Sequence, residues 1–240
     1  MSAVMAGERA GGMDGVRTVL RGIGQTLITF GVVVLLFCVY EVYFTNVYTD
    51  REQSRLGDDL RSSWQAPTPQ PSTAAADPGV PIGQGLAVLW IPRVGITGGE
   101  AKVVVEGVGT DDLKRGPGHY PGTALPGALG NSVISGHRTT YGAPFNRLDE
   151  LRVGDAMVLE TRDMWFTYRM TKQQIVAPTA VEVTYAVPGD RTAQPTQRLL
   201  TLTTCNPKYS AKTRLIISGL LQATLPKSGG VRPPALDGKA

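Results

Sequence analysis

Cysteine is nearly missing from this 240-residue chain, which has only Cys38 and Cys205. Cys38 lies inside an apolar segment and Cys205 far away in a polar-punctuated region, so they are not placed to pair and no disulfide framework exists. Clustered basic charge is also missing. The net charge of +4 comes from scattered side chains, which leaves no basic face or arm for nucleic acid. Glu100, Glu106, Asp149 and Asp155 do not share a loop with cation-ligand spacing, so no metal and no cofactor are expected. No internal repeat is visible, which argues against a solenoid or propeller.

What the chain does have begins with one uncharged apolar run, Gly22 to Tyr40. At the helical rise it spans about 28 Å, enough to cross a hydrocarbon core. Arg9, Arg17 and Arg21 precede it and Glu41 and Asp50 follow; this bias places the N-terminus in the cytoplasm and the remainder outside. The run is long for a cleavable signal, and no small-x-small site follows it, so it reads as a retained single-pass anchor. The expected organisation is a cytoplasmic N-terminus over 1–21, an anchor over 22–44, and a stem with a Pro-rich linker over 45–84. Pro67, Pro69, Pro71, Pro78 and Pro81 make that linker a semi-rigid spacer. A globular domain over 85–222 and a disordered tail over 223–240 complete the chain.

Within 85–222, short β-branched runs alternate with Gly and Pro: LAVLWIP, AKVVVEG, NSVISGH, AMVLET, MWFTYRM, QRLLTLTTC and TRLIISGLL among them. This rhythm predicts an all-β barrel or sandwich with short helices near Asp111 and Leu148. Trp90 and Trp165 read as core or wall aromatics, and His119 as a solvated turn residue.

Three strand ends carry residue types that chemistry needs. His137 follows an apolar strand, with Gly136 allowing close approach; Cys205 ends another strand, with Pro207 preventing simple continuation; Arg214 opens a third. A thiol nucleophile, a proton donor for a leaving amine and a cation for a tetrahedral oxyanion are the requirements of acyl transfer. From the residues alone, a non-enzymatic anchored β-barrel binding module or another type of cysteine peptidase stays open. Papain-like enzymes place Cys before His, the reverse of the order here. L,D-transpeptidases place His two positions before Cys, where this chain has Thr203.

TLTTC at 201–205, GHR at 136–138 and RLIISG at 214–219 together resemble the sortase family. The resemblance covers about Gly85 to Gln222 and implies an eight-stranded β-barrel and a cysteine transpeptidase of the Gram-positive cell surface. GHYPGTALPG at 118–127 and the TTCNP ending are most similar to class E, the housekeeping type of high-GC actinobacteria. Carried over by motif, Cys205 is the nucleophile, His137 the acid for the departing Gly amine, and Arg214 the oxyanion holder. Thr204 supports substrate or oxyanion, and Tyr120 selects Ala over Pro in a Leu-Ala-x-Thr-Gly sorting signal. The implied partners are surface proteins bearing such a C-terminal signal and an amine from a lipid-linked peptidoglycan precursor, or a pilin lysine if the enzyme polymerises pili.

Overall fold

The computed structural model describes residues 10–66 and 80–237. Most of the Pro-rich spacer, the first nine residues, the last three, and the side chains of 10–14 and 41–45 lie outside the described residues. Helix α1 runs Ala10–Gln65 and belongs to two compact units that divide between Phe44 and Thr45. In the first unit, Gly15–Tyr40 forms an apolar stretch of 26 residues with a mean hydropathy of 2.2, long enough to cross a membrane.

The second unit is a closed barrel of eight strands: β1 Gly85–Trp90, β2 Lys102–Glu106, β3 Gly118–His119, β4 Gly130–Ser135, β5 Ala156–Glu160, β6 Met164–Val176, β7 Arg198–Asn206 and β8 Thr213–Pro226. Around the barrel they run β1-β2-β3-β4-β7-β8-β6-β5, and β5 pairs with β1 to close it. Two neighbouring pairs are parallel, β2 with β3 and β4 with β7; the others are antiparallel. Alternation along each strand turns one set of side chains into the interior. Ala87, Leu89, Ile134, Leu200, Leu202 and Leu215 are among those packed there with essentially no exposure. One short helix, α2 Thr110–Arg115, matches the helix expected near Asp111. The helix expected near Leu148 is only a 3-10 turn over Leu148–Glu150. Asp155 Oδ2 caps the Arg152 amide at 2.7 Å and Gly154 turns the chain at φ +92°, so the helix cannot propagate.

Two expectations meet a different structure. The stem does not merely lead away from the membrane: α1 continues to Gln65, and its face carrying Leu56 and Leu60 is buried on Val88, Val103 and Val105 of β1 and β2. Gln53 ties it further, bonding the Val103 carbonyl (3.0 Å), the Arg115 carbonyl (2.8 Å) and the Val103 amide (2.8 Å). The segment after 222 is ordered as well. Strand β8 continues to Pro226, Ala235 and Leu236 pack beside Trp90, Trp165 and Leu225, and Lys227 pairs with Glu160 at 2.7 Å while lying 4.1 Å above the Trp64 ring. Its low apolar content suggested disorder, but two small apolar residues and one cation meet a ready-made aromatic patch.

Candidate active site

Strand register builds the site. Cys205 and Arg214 are direct partners across β7 and β8. Their neighbours Thr204 and Leu215 are also partners and point inward, so Cys205 and Arg214 both face outward at the same end of the barrel. Thiol and guanidinium thus come from one antiparallel pair, where directly opposite side chains are neighbours. Strand β4 runs parallel to β7 on its other side, with Ser135 level with Thr203. The chain leaving β4 therefore delivers His137 to the level of Cys205.

Two hydrogen bonds fix that delivery. The Gly136 amide donates to the Thr203 carbonyl (3.1 Å), and the Thr204 hydroxyl donates to the Gly136 carbonyl (2.7 Å). Gly136 is required by contact, since a Cβ there would lie 2.7 Å from the Phe145 ring. Thr204 was expected to support substrate or oxyanion. The structure instead buries it inside the barrel with its hydroxyl committed to the loop that carries His137.

His137 is half-buried, and burial holds its pKa below the usual 6.5. Its ring stands 5.0 Å from that of Tyr141. Arg214 Nη1 donates to the carbonyls of Ala211 (2.9 Å) and Thr213 (3.1 Å), which folds the guanidinium back over its own loop. Cys205 is partly exposed and unpaired.

Sequence reasoning missed a second layer. Arg138, next to His137, is buried; it donates to the Asn146 carbonyl (2.8 Å) and pairs with Asp149 (2.9 Å). Lys208, three residues after Cys205, approaches the same Asp149 oxygen at 4.0 Å. Asp149 therefore links the loop after the histidine to the loop after the cysteine. The only sequence signal was the position of Arg138 within GHR.

Tyr120 lies farther off. Its amide donates to the Val133 carbonyl (2.9 Å), which continues the β3–β4 pairing and puts its side chain on the outer face shared by Val133, Thr201 and Cys205. Val133 is level with Thr201, four residues before Cys205, or about 13 Å along the strand. Its loop is held by Thr123, whose hydroxyl donates to the Tyr120 carbonyl (2.7 Å), and by the Gly127 amide donating to Tyr168 Oη (2.7 Å). His119 is not a solvated turn residue: it is buried, with Nδ1 at 2.7 Å from Glu106 and Nε2 at 3.0 Å from the Thr123 hydroxyl. Its place inside the barrel end makes it part of the support for this loop. Trp90 and Trp165 are barrel-wall aromatics with ring centroids 6.0 Å apart. Among the described residues, no group of three or more His, Cys, Asp or Glu converges as metal ligands would.

Comparison with known proteins agrees with this geometry. The Sortase domain matches residues 89–222. Sortase SrtE1 of Streptomyces coelicolor is 35% identical over 90% of this chain, and the chain spans 60% of that relative's length. Sortase SrtE2 of the same organism is 30% identical over 88% of this chain and 85% of its own. Among solved structures, sortase E from Streptomyces avermitilis superposes with a TM-score of 0.58 at 43% identity, covering 65% of this chain and 99% of that one. SrtF from Corynebacterium diphtheriae gives 0.63 at 30%, covering 70% and 99%. A barrel that sets a cysteine and an arginine side by side on β7 and β8, beside a histidine delivered by β4, is accounted for by this relationship: the chain belongs to the sortase family and resembles its class E members.

Proposed function

We propose that this protein is a membrane-anchored cysteine transpeptidase that cleaves a C-terminal Leu-Ala-x-Thr-Gly-type sorting signal between Thr and Gly and joins the new carboxyl end to an amine. The observation that carries the reading is the register match of Cys205 with Arg214, combined with the two bonds that tie the His137 loop to the same strand. The Cys205 thiolate attacks the Thr carbonyl, and Arg214 turns from its loop carbonyls to the oxyanion. The C–N bond to Gly then breaks, and His137 supplies the proton that the departing amine takes. An acceptor amine attacks the resulting thioester, forms the amide and releases the Cys205 thiolate, with His137 taking the amine's proton. A lipid-linked peptidoglycan precursor supplies the acceptor chemistry expected at the outer membrane face. On this reading the N-terminus is cytoplasmic and the barrel extracytoplasmic, as the arginines before the apolar run favour.

Thr204 acts through the Gly136 carbonyl, as a positioning residue for His137. Tyr120 sets the preference for Ala over Pro, since its phenol can bond the backbone N–H that Ala retains and Pro lacks. The test incubates the protein with Leu-Ala-x-Thr-Gly and Leu-Pro-x-Thr-Gly peptides plus an amine and reads products by mass spectrometry. Wild type is expected to give amine-ligated product with the Ala peptide preferred by roughly ten- to a hundredfold. In Tyr120→Phe the preference shrinks, and Cys205→Ala gives no product. Ligation by Cys205→Ala contradicts the mechanism; an unaltered ratio in Tyr120→Phe removes that residue from specificity.

A further inference from the structure

The loop that follows His137 contains three consecutive residues in the left-handed region: Tyr141 at φ +51°, Gly142 at +71° and Ala143 at +42°. Only glycine adopts this conformation freely, so Tyr141 and Ala143 persist there because surrounding contacts over-determine them. Inside the loop, the Ala143 amide donates to the Thr140 carbonyl (2.9 Å) and the Phe145 amide to the His137 carbonyl (3.1 Å). The remaining hold comes from the stem of α1. Asn46 Oδ1 accepts the Gly142 amide at 3.1 Å. One turn farther on, Thr49 packs so closely that a Cβ on Gly142 would lie 3.2 Å from its methyl group. The turn so clamped presents the Tyr141 ring to His137, at 5.0 Å between centroids.

The stem is itself anchored independently of this contact. Thr49 Oγ1 donates to the Lys114 carbonyl (2.9 Å), Gln53 makes three backbone bonds, and Leu56 and Leu60 are buried. Residues 46, 49, 53, 56 and 60 recur at alternating intervals of three and four, which is one face of a helix. That face begins at the histidine loop and ends on the barrel wall.

We propose that the juxtamembrane stem is a positioning element of the catalytic site, and that Asn46 is the positioning residue through which it fixes the 141–143 turn and thereby His137. The stem segment of α1, which belongs to the same unit as the barrel, thus completes the site in cis. The role rests on the transpeptidase reading of His137, but its primary test does not depend on turnover.

The chain has only two histidines, so histidine-selective isotope labelling of the full-length protein in lipid nanodiscs lets His137 be titrated by NMR. Asn46→Ala is expected to move the His137 midpoint upward, toward 6.5, as the turn loosens and water reaches the ring. Asn46→Asp retains an acceptor oxygen for the Gly142 amide and, titrated in about 1 M salt where its added charge is screened, keeps the wild-type midpoint, while Asp59→Ala, at an exposed stem position, also leaves it unchanged. With a cleavable peptide, Asn46→Ala lowers kcat roughly three- to tenfold with little change in KM, and the melting temperature holds because Gln53, Leu56 and Leu60 still dock the stem. An unmoved His137 midpoint in Asn46→Ala overturns the proposal, as does an equal shift in Asn46→Asp. Should wild type cleave no peptide, the transpeptidase reading fails, whereas the titration still decides whether the stem positions this histidine.

Discussion

His137 is the residue at which burial and chemistry conflict. On the proposed mechanism its imidazole donates a proton, yet it is held in a half-buried position whose desolvation disfavours the charged form. The imidazolium is therefore a minority species near neutrality. The proposed chemistry then predicts slow turnover, because it uses only the fraction holding thiolate and imidazolium together. The sign for activity is definite: kcat/KM falls on the acid side as pH drops through the lowered midpoint of His137, so that limb should lie below 6.5. Stability has the same sense. A depressed folded-state value contributes stability that is present above 6.5 and lost as pH falls through the folded midpoint, since the unfolded chain takes the proton first. A pH–rate profile with an acid limb clearly above 6.5 would show that the ring is not desolvated during catalysis.

Between elements, two devices hold the site together, and they differ in strength. Asp149 bridges Arg138 after the histidine and Lys208 after the cysteine. Asp149→Asn leaves the buried Arg138 guanidinium without its charged partner. The expected cost is about 1–2 kcal/mol, less than for a fully buried pair because Asp149 is open to solvent, with a lower kcat as the two loops part. A variant with wild-type melting temperature and kcat would show that the bridge is incidental. The stem docks by apolar burial instead. Leu56→Ala or Leu60→Ala should each cost about 2–5 kcal/mol, lowering Tm by roughly 2–4 °C per kcal/mol; calorimetry that found no change would mean the stem is not part of the cooperative unit. The stem's stripe was present in the sequence at its 3-4-3-4 spacing, yet three of its five positions, Asn46, Thr49 and Gln53, are polar. A search for apolar periodicity passes over them, because they dock by bonding backbone groups. Cys205, His137 and Arg214 stood out in the sequence for the opposite reason: each ends, follows or opens an apolar strand within a motif that resembles the family's. Arg138 and Asp149 are eleven residues apart and show their partnership only once the loop is folded.

At the scale of the whole molecule, one end of the barrel carries Cys205 and Arg214, and the other is where strand β8 finishes. Strand β8 starts beside Cys205 with Arg214 and finishes at Pro226 against Met164, so the segment beyond it packs on the wall around Trp90 and Trp165, far along the strand from the thiol. Composition alone could not reveal this, because Ala235 and Leu236 become a contact only when the aromatic patch exists. Deleting residues after Gly230 should therefore lower Tm by a few degrees while kcat/KM stays within about twofold; a large change in kcat/KM would link the tail to the active site.

Acylation of Cys205 is measured directly by intact mass spectrometry of full-length protein mixed with a Leu-Ala-x-Thr-Gly peptide and no amine, followed by digestion to locate the adduct. The expected adduct has the mass of the peptide's acyl fragment ending at Thr, is hydroxylamine-sensitive and located on Cys205, is enriched when hydrolysis is slow, and is missing in Cys205→Ala. An adduct at any other residue, or peptide cleavage by wild type that proceeds equally in Cys205→Ala, would contradict the mechanism.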